Sequence, residues 1–124
     1  MERRVVRLTE ASNRQAVPTV IVAHEGGKVL GSAMLIACDM QTRPELTPWV
    51  AGVYVAVEER KRGIGTALVR RVIEEARALG FARIYLFTFD AESYYARMGW
   101  AVVERTEYVG AKVTVMRWEM GETL

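Results

Sequence analysis

Three apolar runs in the first half of the chain predict three β-strands. Val17–Ala23 is rich in β-branched residues, and Val29–Cys38 is a second apolar run. The short segment between them contains a Gly-Gly pair, which is typical of a β-hairpin. The polar loop Met40–Pro48 then leads into Trp49–Val57. Because this third run is almost continuously apolar, we expect a central strand that is covered on both faces.

The hydrophobic period changes to that of a helix between Gly65 and Leu79. Apolar residues recur at spacings of three and four on one face, whereas arginine and glutamate residues occupy the opposite face. The apolar face comprises Ile64, Leu68, Val69, Val72, Ile73, Ala76 and Leu79. Gly80 suits the position just after a helix C-terminus, so the pattern predicts an amphipathic helix that ends there.

The second half of the chain predicts one more strand, a short helix and a final hairpin. The strand is Arg83–Phe89, the helix is Ala91–Met98, and the hairpin consists of Ala101–Tyr108 and Lys112–Glu119. The sequence contains no linker or internal repeat. The order β-β-β-α-β-α-β-β therefore predicts an α/β fold in a single domain, residues 1–124, with helices packed on a mixed sheet.

The first 16 residues support two interpretations. Val5, Val6 and Leu8 fit a short strand, whereas Thr9–Ala16 fits one or two turns of helix. Both interpretations stay open because the segment carries little periodicity of either kind.

Composition and charge exclude several classes of protein. Of 124 residues, 51% are hydrophobic, which is enough to bury a core and unlike a disordered segment. The net charge is only +2 and basic residues mostly alternate with glutamates, so we expect no nucleic-acid partner. Cys38 is the only cysteine, which excludes an intramolecular disulfide and a Cys/His zinc site. Without an apolar run that suits a signal peptide or membrane span, we expect a cytoplasmic protein.

The segment Arg60–Thr66 (RKRGIGT) lies between an apolar strand and the start of the long helix. A helix N-terminus leaves backbone N–H groups unpaired and carries a partial positive charge. The two glycines of the segment let the backbone approach a ligand closely, and its three basic side chains attract an anion. The segment suits a pyrophosphate, but the same glycines also suit an ordinary strand-to-helix turn. It matches neither a dinucleotide-binding fingerprint nor a P-loop.

Two motifs together resemble the GCN5-related N-acetyltransferase (GNAT) family. Arg60-x-x-Gly63-x-Gly65 is similar to the family's acetyl-CoA signature, Gln/Arg-x-x-Gly-x-Gly/Ala. The segment Tyr94–Trp100 (YYARMGW) is similar to the family's Phe-Tyr-x-x-x-Gly-Phe segment. The resemblance covers about residues 17–120 and keeps the family's order of motifs. It implies a GNAT-type mixed β-sheet flanked by helices, and an acyltransferase that uses acetyl-CoA as its acetyl donor.

The resemblance also implies which residues bind the cofactor. In this family the strand before the glycine turn diverges from its neighbour, and pantetheine lies in the gap like an added strand. The matching residues are Val53, Tyr54 and Val55, with the Val55 N–H placed to polarise the thioester carbonyl. The residues that match the pyrophosphate contacts, mostly through backbone N–H groups, are Arg60, Lys61, Arg62, Gly63, Ile64, Gly65 and Thr66. The two valines equally suit a packed core strand.

Tyr95 matches the family's general acid, and Tyr94 is its immediate neighbour. Attack of an amine on the thioester gives a tetrahedral intermediate that expels a thiolate, which a phenol within reach can protonate. With a reference pKa of about 10, a tyrosine starts in the protonated form. The alternative is a tyrosine that only packs near the end of a short helix.

The sequence departs from the family pattern at the catalytic base. Many members have a glutamate on the strand after the long helix, whereas the nearest matching residue here is Phe87. The open alternatives are a chain of waters to solvent and the carboxylates of Asp39, Glu45, Asp90 and Glu92. An asparagine that contacts the cofactor in many members is also absent, and Thr88 or Ser93 could replace it.

A second departure lies at the start of the chain, where 16 residues precede the first hairpin. Family members usually have a strand and two helices there, which wall the acceptor pocket. A fold shortened at the N-terminus leaves this pocket either open or closed by a partner subunit. We expect a homodimer, because the shortening would expose apolar sheet surface.

The resemblance thus implies an N-acetyltransferase that moves an acetyl group from acetyl-CoA directly to a primary amine. Candidate acceptors are a polyamine, an amino acid, an aminoglycoside-like compound or a peptide amine. The departures leave a non-catalytic acyl-CoA-binding or sensing module as the alternative, and a domain whose glycine turn binds another phosphate ligand as a further one. A covalent mechanism through Cys38 and His24 is disfavoured because no third orienting group is visible.

Overall fold

A computed structural model describes residues 6–10, 18–60 and 62–121 of the chain. The strands of this part are β1 (Arg7–Glu10), β2 (Thr19–Glu25), β3 (Lys28–Ile36), β4 (Trp49–Val55), β5 (Arg83–Thr88), β6 (Ala101–Tyr108) and β7 (Ala111–Glu119). Its helices are α1 (Ile64–Ala78) and α2 (Glu92–Met98), and a 3₁₀ turn covers Val57–Glu59. Neither described helix is long and apolar enough to cross a membrane. The strands form one sheet in the order β1-β2-β3-β4-β5-β7-β6, which with the helices makes the predicted α/β fold.

All strands and helices predicted beyond residue 16 are present, with ends that differ by at most two residues. The early strand interpretation is confirmed in part, because Arg7–Glu10 pairs antiparallel with β2. The helical alternative for Thr9–Ala16 begins inside this strand, and its residues 11–16 lie outside the described part of the chain. The 3₁₀ turn between β4 and α1 was not predicted.

The sheet is mixed because one of its strand pairs is parallel. Strands β1 to β4 pair antiparallel in succession, β4 and β5 run parallel, and β7 pairs antiparallel with both β5 and β6. Helix α1 packs against β2, β3 and β4. Its Leu68 and Val72 are fully buried, and burial of such side chains contributes about 1.5–3 kcal/mol each. This packing fixes the N-terminus of α1 beside the end of β4.

Strands β4 and β5 separate soon after they meet. They pair at Trp49 and Tyr85, where the Tyr85 N–H donates to the Pro48 carbonyl at 3.0 Å. A bulge then distorts β4, because its pairing with β3 shifts register at Gly52, which has a left-handed φ of +60°. This φ is strained for a residue with a β-carbon, so the bulge favours glycine; a β-carbon would also lie 2.7 Å from the Met34 methyl group, which would have to move. The two strands therefore border a gap.

This gap corrects one prediction about β4. The strand is central in the sheet order, but it is not covered on both faces along its whole length. Val53 and Tyr54 are 37% and 54% exposed. Because β4 has separated from β5 at this point, none of the described strands packs along that edge and fewer side chains cover it.

Candidate active site

The glycine turn places unpaired N–H groups at the start of α1. Gly63 precedes the helix with a left-handed φ of +79°, a conformation that disfavours residues with a β-carbon. The first helical hydrogen bond runs from the Ala67 N–H to the Gly63 carbonyl at 3.0 Å. The N–H groups before Ala67 have no earlier carbonyl within the helix to bond, and no side chain in the described part of the chain caps them. They are available to a ligand.

A cavity of about 220 Å³ lies against this helix start. We call it the cradle. Its lining residues come from the end of β4, the 3₁₀ turn, the glycine turn and α2, and they are Val55, Glu59, Arg60, Gly63, Ile64, Gly65, Thr66 and Tyr94. The first turn of α1 contains no acidic residue, so no fixed negative charge on it opposes an anion.

The basic residues of the turn have different roles. Arg60 lines the cradle and donates from Nε to the Val55 carbonyl at 3.1 Å. Arg62 instead donates to the carboxylates of Glu59 and Glu25. Lys61 lies outside the described residues. Arg62 therefore links the glycine turn to the 3₁₀ turn and to β2. Arg60 is the described basic side chain that faces the cradle.

We expect Arg62→Ala to lower the free energy of unfolding by about 1–3 kcal/mol, because it removes the arginine partner of a buried carboxylate. The Glu59 side chain is only 7% exposed. Arg77→Ala is the matched control, because its pair with Glu74 has the same spacing but is exposed, and such pairs contribute below about 0.5 kcal/mol. Urea denaturation of both variants checks the prediction, and equal losses would contradict it.

A second cavity, of about 290 Å³, occupies the gap between β4 and β5. We call it the reaction cavity. Its walls are Val50, Ala51, Gly52 and Val53 of β4, residues Leu86, Phe87 and Thr88 of β5, and Asp39, Phe89, Asp90 and Tyr95. Its described lining contains two carboxylates and one phenol but no lysine or arginine.

Helix α2 directs its two adjacent tyrosines to different cavities. Tyr94 lines the cradle, where its hydroxyl hydrogen-bonds the hydroxyl of Thr66. Tyr95 lines the reaction cavity, and its ring packs edge-on against Tyr94 and Trp100, with centroids 5.0 and 6.1 Å apart. Burial raises the pKa of Tyr95 above its ordinary value, and the neighbouring Tyr94 adds to the shift. The Tyr95 phenol therefore stays protonated at neutral pH.

Comparison with known proteins identifies the family. Residues 2–100 match the model of the acetyltransferase (GNAT) family. The chain belongs to the GNAT family. No curated protein matches its sequence.

Solved GNAT-like structures share the fold of this chain. yncA of Salmonella typhimurium, solved with acetyl-CoA, has a TM-score of 0.69 and 24% identity over 86% of this chain. An N-acetyltransferase of Staphylococcus aureus Mu50 has a TM-score of 0.71 and 19% identity over 84%. The chain spans 66% and 68% of these two proteins. A GNAT acetyltransferase of Elizabethkingia anophelis, with acetyl-CoA bound, has a TM-score of 0.67 and 13% identity over 97% of this chain and 100% of its own.

The carboxylates considered as the base of this GNAT protein differ in their surroundings. Glu92 accepts hydrogen bonds from Arg105 at 3.0 and 2.7 Å and from Thr114 at 2.9 Å. Arg105 foremost, and then Thr114, hold the pKa of Glu92 below its usual value. Glu45 is exposed and lines neither cavity. Asp39 and Asp90 line the reaction cavity, and burial raises the pKa of Asp39.

Phe87, at the position where many GNAT members have glutamate, also lines the reaction cavity. Its ring packs edge-on against Trp49, Phe89 and Tyr108, with centroid distances of 6.2, 5.8 and 5.5 Å. The aromatic contacts give this wall of the cavity an apolar character. At this position the site therefore has a cluster of aromatic rings where many GNAT members have a glutamate.

The remaining expected GNAT positions are divided between cavity walls and surface. Val53 lines the reaction cavity and Val55 lines the cradle, whereas the side chains of Tyr54 and Arg62 line neither. Thr88 lines the reaction cavity, but its hydroxyl also accepts a hydrogen bond from the Ala91 N–H at 3.0 Å, which orients the chain before α2. Ser93, the other expected replacement for the family asparagine, is exposed.

The Cys–His interpretation is wrong. His24 pairs with Val29 at one end of the β2–β3 hairpin, and Cys38 follows Ile36 at the other end. At about 3.3 Å per residue, the length of β3 separates them by more than about 20 Å. Cys38 is also exposed rather than a core residue, and its thiol donates to the Met40 carbonyl at 3.6 Å.

Proposed function

We propose that this GNAT protein binds acetyl-CoA and transfers the acetyl group directly to a primary amine, without an acyl-enzyme intermediate. The observation that carries the proposal is the gap between β4 and β5. One end of β4 leads to a cradle of unpaired N–H groups, and the gap itself contains a protonated tyrosine. Two acetyl-CoA complexes among proteins with the same fold support the choice of donor.

The cradle suits the pyrophosphate of the donor. Backbone N–H groups at the start of α1 donate to phosphate oxygens, and the partial charge of the helix terminus favours their negative charge. Arg60 adds a guanidinium at the cradle wall. The glycines at 63 and 65 keep side chains away from the backbone that the phosphates approach. The hydroxyl pair of Thr66 and Tyr94 joins α1 to α2 across the cradle.

The edge of β4 that borders the gap suits the pantetheine and the thioester. The Val55 carbonyl accepts from Arg60, whereas the flanking Ala56 N–H donates to Leu30 of β3. Polar groups of successive residues in a strand point to alternate sides. The Val55 N–H therefore points away from β3, like its carbonyl, which supports its role in polarising the thioester carbonyl. Val53 and Tyr54 precede it on the same strand.

In the proposed reaction Tyr95 is the general acid. The amine attacks the thioester carbon, and the C–S bond of the resulting tetrahedral intermediate breaks. The leaving sulfur takes the phenolic proton of Tyr95, which lines the cavity and is protonated at neutral pH. No residue needs to carry the acetyl group in this direct route.

The acceptor that fits the reaction cavity is a cationic amine. The carboxylates of Asp39 and Asp90 attract an ammonium group, and the described lining contains no opposing cation. Phe89 also lines a larger cavity of about 530 Å³ beside β6 and β7, which offers room for the rest of an acceptor. That a partner subunit of a homodimer closes the acceptor pocket stays a prediction.

Calorimetric titration with acetyl-CoA, dephospho-CoA and ATP tests the donor site. We expect acetyl-CoA to bind and ATP, which lacks pantetheine, to bind much more weakly. Release of coenzyme A thiol with a panel of primary amines then tests transfer. Binding without transfer to any amine would favour the acyl-CoA-binding module instead, and no binding to folded protein would contradict the donor site.

A further inference from the structure

We propose that Asp39 is the general base, which takes a proton from the acceptor ammonium before the amine attacks. This inference rests on the proposed acetyl transfer and adds to it the residue that activates the acceptor. Asp39 lies in the loop between β3 and β4 and lines the reaction cavity together with Tyr95. A base and an acid thus border the same cavity from two different elements.

The loop that carries Asp39 is held in place by several contacts. The next residue, Met40, is fully buried, and the Arg43 N–H donates to its carbonyl at 2.9 Å. Arg43 also forms a two-point ion pair with Glu104 of β6, with one hydrogen bond of 3.1 Å. Thr47 donates to the Ala37 carbonyl at 2.6 Å. The carboxylate is therefore presented by an anchored segment, as a positioned base requires.

The Asp39 carboxylate is free to accept a proton. It makes no hydrogen bond or ion pair within the described residues, and burial alone raises its pKa. A higher pKa brings a carboxylate closer to neutral pH, where a base is most effective. The other titratable side chains of the cavity lining are Asp90, which is exposed, and Tyr95, which is protonated.

The other carboxylates are less suited to this role. Glu92 is engaged by Arg105 and Thr114, which favour its ionised form and occupy its oxygens. Glu45 belongs to the same loop as Asp39 but lines neither cavity. Asp90 is exposed at the end of β5, where it can attract an ammonium but remains in contact with solvent. Asp39 is the half-buried carboxylate of the cavity.

The proton balance of the reaction is complete with Asp39 and Tyr95. The acceptor enters as an ammonium ion, and one of its protons moves to Asp39. The nitrogen lone pair then forms the C–N bond, the C–S bond breaks, and sulfur takes the Tyr95 proton. A second proton from nitrogen returns to the Tyr95 phenolate, and Asp39 releases its proton to solvent. The products are the amide, coenzyme A thiol and one proton.

Two small amines of similar size test this role without knowledge of the natural acceptor. Ethylamine is an ammonium ion at pH 7, whereas methoxyamine is neutral and needs no base before attack. For Asp39→Asn we expect kcat/KM for ethylamine to fall by about 10²-fold and that for methoxyamine to change by less than about threefold. Asp39→Glu, which keeps the carboxylate, should recover part of the ethylamine activity. Glu45→Gln is the matched control from the same loop and should leave both rates unchanged.

Equal losses with both amines, or no loss with ethylamine, would overturn the assignment of Asp39. Calorimetry with acetyl-CoA on each variant shows that the donor site is intact, and we expect its affinity to stay unchanged in Asp39→Asn. If wild-type protein binds acetyl-CoA but acetylates neither amine, the proposed acetyl transfer fails, and the role of Asp39 fails with it. If wild type acetylates ethylamine and Asp39→Asn does so equally fast, the assignment of Asp39 as the base is rejected, whereas the proposed acetyl transfer stands.

Discussion

Tyr95→Phe is expected to lower kcat for acetyl transfer by about 10²–10⁴-fold, the range that a positioned general acid contributes. The substitution removes only the hydroxyl, and no hydrogen bond of that hydroxyl to a described residue is lost. The ring contacts with Tyr94 and Trp100 remain available to phenylalanine. We therefore expect the fold and the affinity for acetyl-CoA to be retained. Steady-state kinetics with ethylamine, together with calorimetry, measure the two effects separately.

Tyr94→Phe is the matched control, because it makes the same change one residue earlier. Its hydroxyl bonds Thr66 at the cradle and lines a different cavity from Tyr95. This bond lies within the protein, so its loss lowers the free energy of unfolding by about 1 kcal/mol and loosens the contact between α1 and α2 across the cradle. We expect a weaker interaction with acetyl-CoA and an almost unchanged kcat. A larger loss of kcat in Tyr94→Phe than in Tyr95→Phe would reverse the roles of the two tyrosines.

The pH dependence of transfer provides a further check on Tyr95. Burial raises the pKa of Tyr95, so the acid form persists above the pH at which an ordinary tyrosine ionises. Activity should fall as the pH rises through this raised pKa, because the phenolate cannot donate a proton. The alkaline decrease should therefore lie above about pH 10 in the wild type, and it should be absent in the residual activity of Tyr95→Phe. An alkaline decrease that survives the substitution would have another origin.

The elements of the fold could largely be predicted because their signals are local. The apolar face of α1 and the glycine after it set both the type and the end of the helix within a single stretch of sequence. Strand β1 was only one of two interpretations, since a four-residue strand depends on its pairing with β2 rather than on its own pattern. A glycine inside a strand often marks a bulge, but the continuous apolar run around Gly52 led to the prediction of a regular strand.

The separate roles of the individual site residues could not be predicted, because they depend on contacts between residues that are distant in sequence. The sequence indicated that Arg62 attracts a ligand anion, but its guanidinium is held by Glu25, 37 residues earlier, as well as by Glu59. The two tyrosines of α2 are adjacent in sequence and line different cavities. Asp39 was one of four candidate carboxylates, and only the folded loop separates it from Glu45.

Gly65→Val is expected to weaken acetyl-CoA binding by about 10²-fold or more. A β-carbon at this position would lie 3.5 Å from a Val55 methyl group and 3.9 Å from the Tyr94 hydroxyl, two residues that line the cradle. The side chain would therefore occupy the space that a phosphate needs beside the backbone. Hydrogen bonds to a charged group contribute about 1.5–3 kcal/mol each, and the loss of two explains the expected factor.

Gly65 separates ligand binding from folding more cleanly than Gly63 does. Gly63 has a left-handed φ of +79°, so any side chain there adds about 1–2 kcal/mol of backbone strain to its effect on the ligand. Gly65 lies within α1, where a β-carbon meets only ordinary van der Waals contacts. Alanine at 65 should even favour the helix by about 0.5–1 kcal/mol. The series Gly65→Ala, Gly65→Val should thus lose affinity stepwise while the thermal unfolding midpoint is maintained.

The choice of ligand identifies which part of acetyl-CoA the substitution displaces. Acetyl-pantetheine lacks the pyrophosphate and should bind more weakly than acetyl-CoA. Its affinity should be nearly the same in wild type and in Gly65→Val. Ala67→Val adds comparable bulk two positions along α1, outside the cradle lining, and should leave acetyl-CoA binding unchanged. Calorimetry with both ligands on all variants makes the comparison. If Gly65→Val folds and still binds acetyl-CoA as tightly as wild type, the pyrophosphate does not lie at this helix start, and the gap between β4 and β5 loses its assignment as the donor site.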